Sequence, residues 1–156
     1  MREANFILIG VGLILLGIGG VIVHSKIRGI RNNNPGNLRL TSIKWNGKVP
    51  NDKNTDGLYE QFITPIDGIR AMFIDVRGDI EKDGLNTIAK LITEYAPPNE
   101  NDTTAYINSV AKKLNLNPTS KITSNHYFNL IKAIITHENG INPYSDSTIL
   151  TAMGAA

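Results

Sequence analysis

The chain has 156 residues, enough for one domain with a sizeable hydrophobic core. Its net charge of +2 argues against nucleic acid as the main partner, so we expect none. The absence of cysteine excludes disulfides and thiolate catalysis. Because the three histidines also lack the spacing of metal ligands, we expect neither a metal site nor a cofactor.

An apolar run from Phe6 to Val23 contains no polar side chain. As a helix these eighteen residues would span roughly 27 Å, close to the hydrocarbon thickness of a bilayer. The alternative is a cleaved signal peptide, but the sequence VIVHSK at its end is a poor cleavage site. We therefore predict a single-pass transmembrane anchor over residues 1–27, with residues 6–23 in the lipid bilayer, and one further domain over residues 28–156.

Positive charge is concentrated directly after this run. Lys26, Arg28 and Arg31 follow it, whereas Arg2 and Glu3 precede it. The positive-inside rule then places the C-terminal domain on the cytoplasmic side of the membrane in which the chain is made.

The first part of the domain predicts turns and short strands. Residues 28–38, RGIRNNNPGNL, are turn-rich because asparagine, proline and glycine favour turns. SIKWNGKV (42–49) predicts a β-hairpin with a type I′ turn at Asn46-Gly47, and GLYEQF (57–62) alternates like a third short strand. We expect a small β lobe here.

Helical periodicity dominates the rest of the chain. Thr64 and Pro65 predict the start of a helix whose apolar positions continue to Gly84. Three further amphipathic helices are expected over residues 88–95, 102–114 and 124–137. The predicted fold class is therefore α+β, mainly α, with a small β-hairpin lobe.

Glu138 lies at the end of the last predicted helix, in AIITHENGINPY. It follows Ile134, Ile131 and Tyr127 by four, seven and eleven residues, so it continues the buried stripe. Gly140 is the expected C-cap, which puts the carboxyl group at the negative end of the helix dipole. This position and apolar neighbours would both oppose ionisation, as a general acid requires. An exposed or ion-paired terminal glutamate is the alternative.

Two more clusters carry residues that suit sugar binding or acid-base chemistry. The loop EYAPPNENDTTAY (94–106) combines tyrosines with amides and acids, although acids and amides here also cap helices. Asp56 and Glu60 lie in the predicted β lobe, and most carboxylates at such positions are simply solvated. Asn34 and Asn37 are equally well explained by a turn.

These stretches resemble a family of phage virion and prophage proteins, described variously as structural proteins or lytic enzymes. The motifs that carry the resemblance span residues 28–150 in the order RGIRNNNPGNLR, WNG, DGLYEQF, PIDGIRA, YAPPNENDTTAY and HENGINPY. More distantly, the chain resembles peptidoglycan glycosidases and lytic transglycosylases of the lysozyme-like superfamily, whose Glu-Ser-Gly motif is similar to the ENG here. The resemblance implies a lysozyme-like catalytic domain over residues 28–156, circularly permuted so that the glutamate helix comes last.

By this resemblance, Glu138 protonates the glycosidic oxygen between the amino sugars of peptidoglycan. A hydrolase also needs a second carboxylate, for which Asp56 and Glu60 are the candidates, whereas a lytic transglycosylase needs the glutamate alone. The residues expected to bind the glycan are Asn34, Asn37, Tyr95, Glu100, Asn101 and Tyr106.

The predicted function is that of a membrane-anchored enzyme of a phage virion, which degrades peptidoglycan and opens the host cell wall during infection. A virion membrane taken from the host inner membrane would carry the domain to the wall of the next cell. The expected partners are glycan strands, the lipid bilayer, and other membrane or capsid proteins of the virion. The alternatives are a non-enzymatic minor structural membrane protein of a virion and a bacterial enzyme that remodels the wall from the inner membrane.

Overall fold

The computed structural model of the chain describes residues 26–99 and 101–156. The predicted transmembrane anchor therefore lies outside the described residues, apart from its last two positions. The described part contains six α-helices and two short 3₁₀ helices, at Asn51–Lys53 and Ser124–His126. The α-helices are α1 (Arg28–Arg31), α2 (Pro65–Glu81), α3 (Ile88–Tyr95), α4 (Thr103–Leu114), α5 (Tyr127–Asn139) and α6 (Asp146–Gly154).

The starts of the helices follow local capping chemistry. Before α2, the Thr64 side chain accepts a hydrogen bond from the Asp67 backbone N–H, and the Asp67 carboxylate accepts one from the Thr64 backbone N–H. Pro65 occupies the first turn of α2, where its missing N–H costs nothing. The Thr87 side chain caps α3 by accepting from the Lys90 backbone N–H, and Asp102 caps α4 by accepting from the Ala105 N–H. The predicted positions of these three helices are confirmed.

Helix α5 forms the centre of the domain. Its inner face carries Leu130, Ile131, Ile134 and Ile135, each with no exposed surface. It packs against α4 and α1, while α2 packs against α6 and α3. Burying each such side chain contributes about 1.5–3 kcal/mol, so the inner face of α5 supplies a large part of the hydrophobic core.

The predicted β lobe is wrong, because no strand forms in residues 26–99 or 101–156. Extended segments do meet between residues 38 and 63, but they pair only through isolated antiparallel bridges, Arg39 with Tyr59 and Lys48 with Phe62. The segment 58–63 divides its hydrogen bonds between two partners: it bonds residues 38–40 with its first half and residues 47–49 with its second. Neither pairing is long enough to make a ladder.

The predicted hairpin turn is also different from expectation. Gly47 has a φ of +72°, but Asn46 is not among the described residues with positive φ. A type I′ turn requires positive φ at both positions, so this turn is of another type. The α+β, lysozyme-like fold class with a β-hairpin lobe is therefore corrected to a mainly helical domain with an irregular loop region over 32–64.

Within the part of the chain that the structure describes, none of the helices combines the length and the apolar composition that crossing a bilayer requires.

We expect truncation of the α5 core face to be costly. In the full-length chain in mild detergent, Ile134→Ala should lower the free energy of unfolding by about 3 kcal/mol, because it leaves a cavity at a fully buried site. Leu150→Ala is the control, since Leu150 is 54% exposed, and should change it by less than about 0.5 kcal/mol. Urea unfolding followed by far-UV circular dichroism measures both, and equal losses would contradict this position of α5.

Candidate functional site

An open cleft of about 620 Å³ lies beside the C-terminal end of α5. Four stretches of the chain and one residue of α5 line it. They contribute Gly36, Asn37, Leu38, Arg39, Leu40, Thr41, Ile43 and Trp45; Leu58 and Tyr59; Asp75 and Asp79; Glu94, Tyr95, Ala96, Pro97, Asn99 and Asn101; and Glu138. The cleft is therefore formed where the loop region meets the helices.

Glu138 sits in the last turn of α5 with both carboxyl oxygens engaged. Tyr106 donates its hydroxyl to Oε1 at 2.9 Å, and Asn37 donates its side-chain N–H to Oε2 at 2.9 Å. Burial raises the pKa of Glu138, and the hydrogen bonds from Asn37 and Tyr106 offset this only in part. The result is a carboxyl group that holds its proton to higher pH than usual and faces a cleft.

The asparagine turn brings Asn37 to Glu138. The Asn34 side chain donates to the Leu38 and Glu60 carbonyls and accepts from the Leu38 backbone N–H, so it holds the turn from inside. Asn37 itself adopts a φ of +49°, a left-handed conformation that asparagine tolerates. Asn34 is thus fully buried and shapes the site without lining the cleft.

A second contact fastens the same turn to the end of α5. The Asn139 side chain donates to the Pro35 carbonyl at 2.8 Å and to the Ile135 carbonyl at 2.9 Å. Gly29 of α1 passes so close that a β-carbon there would lie 2.4 Å from Asn139 Oδ1. Only glycine permits this approach. Directly after Asn139, Gly140 ends α5 with a φ of +72°, as its predicted role as C-cap requires.

The other predicted glycan-binding residues divide into two groups. Tyr95 and Asn101 line the cleft, and the Tyr95 hydroxyl donates to the Gly36 carbonyl. Tyr106 lies behind Glu138, with only 2% of its surface exposed, and supports the acid instead of lining the cleft. Glu100 lies outside the described residues.

Asp56, predicted as a second carboxylate, lies away from the cleft in an ion-paired cluster. Arg28 donates to both of its oxygens, at 2.8 and 2.9 Å, and Arg31 and Asn32 donate to Oδ2 at 3.1 and 2.8 Å. Burial opposes its ionisation, but the hydrogen bonds from Arg28, Asn32 and the Tyr59 N–H, with the charge of Arg28, hold the pKa of Asp56 well below its ordinary value. Asp56 therefore ties α1 to the loop region.

Glu60, the other candidate, is fully buried and also absent from the cleft. Lys48 pairs with its Oε1 at 2.8 Å, and the backbone N–H and hydroxyl of Thr41 donate to the same oxygen. These contacts hold together the two chain segments that would have formed the predicted lobe.

Three acids that the sequence reasoning missed do line the cleft. Asp75 and Asp79 are four residues apart on α2 and Glu94 is near the end of α3, while Arg39 brings the opposite charge. The i, i+4 spacing of the two aspartates puts them on one face, but the same spacing is common on solvated helix surfaces. The neighbouring sequence therefore does not distinguish aspartates that line a cleft from aspartates on a solvated helix surface.

The described residues offer no group of three or more histidine, aspartate or glutamate side chains placed to hold a metal ion.

The sequence is similar to that of a known phage protein. The chain is 35% identical over 148 residues to Protein P5 of Pseudoalteromonas phage PM2, an alignment that covers 93% of this chain and 91% of that protein. No protein family model matches the sequence.

Replacing Asp56 tests whether its ion pairs stabilise the folded protein. Asp56→Ala should lower the free energy of unfolding at pH 7 by about 2–3 kcal/mol, less than for a wholly buried pair because both arginines are partly exposed. Because its pKa is lowered in the folded protein, this contribution is present above the ordinary value of 3.8 and is lost as the pH falls below it. Urea unfolding at pH 7 and pH 3 measures it. The exposed Asp52→Ala should change neither value, and a pH-independent loss for Asp56→Ala would contradict the ion-pair role.

Glu138 should have the opposite pH dependence. Its raised pKa means that the folded protein binds this proton more tightly than the unfolded chain, so ionisation costs stability as the pH rises from the ordinary 4.5 through the raised pKa. Glu138→Gln cannot ionise and keeps one acceptor for Asn37 and one donor for Tyr106. Its free energy of unfolding relative to wild type should therefore increase between pH 4.5 and pH 8. A constant difference across that range, in parallel urea titrations, would rule out a raised pKa.

Proposed function

Because the chain belongs to the family of phage proteins that includes Protein P5 of phage PM2, we propose that it is a virion enzyme that degrades peptidoglycan and opens the host cell wall during infection. In this proposal Glu138 is the general acid that protonates the glycosidic oxygen. The observation that carries it is the placement of Glu138: a carboxyl group with a raised pKa, fixed by two donors, on the wall of an open cleft.

The composition of the cleft supports a glycan as the ligand. Its volume of about 620 Å³ falls within the range of small-ligand pockets. Trp45 offers an aromatic surface to the apolar face of a sugar ring, and the amides of Asn99 and Asn101 suit hydroxyl and acetamido groups. The cleft is also open to solvent, so a polymer can reach it.

The charge of the cleft suits the chemistry of glycosidic bond cleavage. Cleavage passes through an oxocarbenium-like transition state that carries positive charge on the sugar. Asp75, Asp79 and Glu94 line the same cleft as Glu138 and outnumber Arg39. A net negative wall stabilises the developing positive charge more than it stabilises the neutral substrate.

The positions of Asp56 and Glu60 favour the route that needs a single acid. Both are held in ion pairs away from the cleft, so neither is placed to activate water against the sugar. In the single-acid route Glu138 gives its proton to the leaving oxygen and then acts as base for attack by a hydroxyl of the same sugar. The product is an anhydro-sugar. If water attacks instead, Asp75 or Asp79 is the carboxylate that activates it.

In this proposal the enzyme is anchored in the virion membrane by residues 6–23. The lipid of that membrane comes from the host inner membrane. The length of this apolar run and the three basic residues that follow it support that arrangement. An anchored domain would reach the wall only when the virion membrane meets the cell surface.

Zymography on peptidoglycan tests the enzyme proposal directly. The full-length wild-type chain, refolded in mild detergent, should clear the substrate, and Glu138→Gln should reduce the rate by about 10²-fold or more because the general acid is lost. Asp83→Asn, at an exposed position that does not line the cleft, is the matched control and should clear normally.

Mass spectrometry of the released sugars then separates the two routes. Products lighter by one water than the hydrolysis products indicate the anhydro-sugar and the single-acid route. Retained binding to peptidoglycan without clearing by either protein would overturn the enzyme proposal and favour a non-enzymatic structural protein of the virion.

A further inference from the structure

A stacked pair of rings lies directly behind Glu138. The imidazole of His137 is parallel to the ring of Tyr106, with ring centroids 3.5 Å apart and an angle of 12° between the planes. Tyr106 is the residue whose hydroxyl donates to Glu138 Oε1. Two consecutive residues of α5 therefore contact one tyrosine, the first on the face of its ring and the second at its hydroxyl.

This arrangement is not a consequence of helix geometry alone. Consecutive side chains on a helix diverge by about 100°, so they rarely contact the same group. They do so here because α4 packs against α5 and directs Tyr106 between them. His137 itself does not line the cleft, so it has no contact with a ligand bound there.

The stack consists of two uncharged rings at neutral pH. Burial lowers the pKa of His137, and the negative charge of Asp102 at the start of α4 offsets this only in part. Glu138 and Tyr95 are further ionisable groups that face Tyr106, and Glu138 bonds the tyrosine and not the imidazole. Stacked aromatic rings attract each other in addition to the burial of their surface, and this contact restricts the orientation of the tyrosine ring.

We propose that His137 is a positioning residue of the site, whose ring fixes Tyr106 so that the tyrosine hydroxyl stays on Oε1 of Glu138. The role of Glu138 as an acid rests on the proposed function, but the positioning itself does not. Without the stack the Tyr106 ring can tilt, and a small rotation of the ring displaces its hydroxyl, the atom farthest from the backbone. Glu138 then loses a donor that stabilises its charged form.

The test is an NMR titration of the Glu138 carboxyl group in the full-length chain in detergent. Tyr106→Phe removes the donor and should raise the pKa of Glu138, since that hydrogen bond lowers it. His137→Ala should raise it in the same direction, whereas His137→Phe restores a flat ring and should return it to the wild-type value. The double variant His137→Ala with Tyr106→Phe should match Tyr106→Phe alone, because His137 acts only through the tyrosine hydroxyl.

Two results would overturn the positioning role. One is a His137→Phe variant that titrates like His137→Ala, which would mean that the imidazole acts as a polar or charged group. The other is a double variant whose shift is the sum of the two single shifts. Both phenylalanine variants keep an aromatic ring at the substituted position, so a stability measurement on them separates loss of position from loss of folding.

The same variants distinguish failure of this inference from failure of the proposed function. If the wild-type chain clears peptidoglycan, His137→Ala should slow clearing by about tenfold and move the pH–rate profile with the NMR titration. His137→Phe should restore both. If the wild-type chain does not clear, the enzyme proposal falls, while the titration still decides whether His137 positions Tyr106.

Discussion

The attachment of the asparagine turn to the end of α5 is the contact on which the rest of the site depends. Asn37 bonds Glu138 across 101 positions of the chain, and Asn139 bonds Pro35 across 104. These two bonds join the start of the domain to its central helix, and Gly29 allows the close approach that they need. Each buried bond contributes only about 1 kcal/mol, but breaking one leaves buried polar groups without partners, which costs more. The turn therefore has one stable position against the helix.

The end of α5 explains why an apolar helix finishes on four polar or small residues. His137 stacks on the tyrosine from α4, Glu138 faces the cleft, Asn139 bonds the turn, and Gly140 ends the helix in a left-handed conformation. Burial raises the pKa of the Glu138 carboxyl group. Hydrogen bonds from Asn37 in the turn and Tyr106 in α4 limit this increase. An amide at this position could make the same two hydrogen bonds, but only the acid can hold a proton and release it.

The sequence predicts α2, α3 and α4 well, but it predicts only turns where α1 forms and short strands where the irregular loop region lies. The bounds of α2, α3 and α4 follow from apolar spacing and from caps within a few residues, which are local. The segment 57–62 alternates like a strand, but whether it forms one depends on partners far away in the chain. Here the partners are two short segments that share it, so only isolated bridges result. The helix α6 was missed because its buried face consists of two residues in nine.

The candidate site shows the same difference between features that neighbouring residues determine and features that distant residues determine. Periodicity alone marks Glu138 as a polar group on a buried stripe, because burial of a helix face is a local property. Whether a carboxylate such as Asp56 or Asp75 is paired, solvated or in a cleft depends on what the remainder of the chain places opposite it. Asp56 forms ion pairs with two arginines that precede it by 25 and 28 positions, whereas Asp75 lines the cleft. The proposed chemistry therefore rests on the one acid whose environment the sequence and the structure describe in the same way.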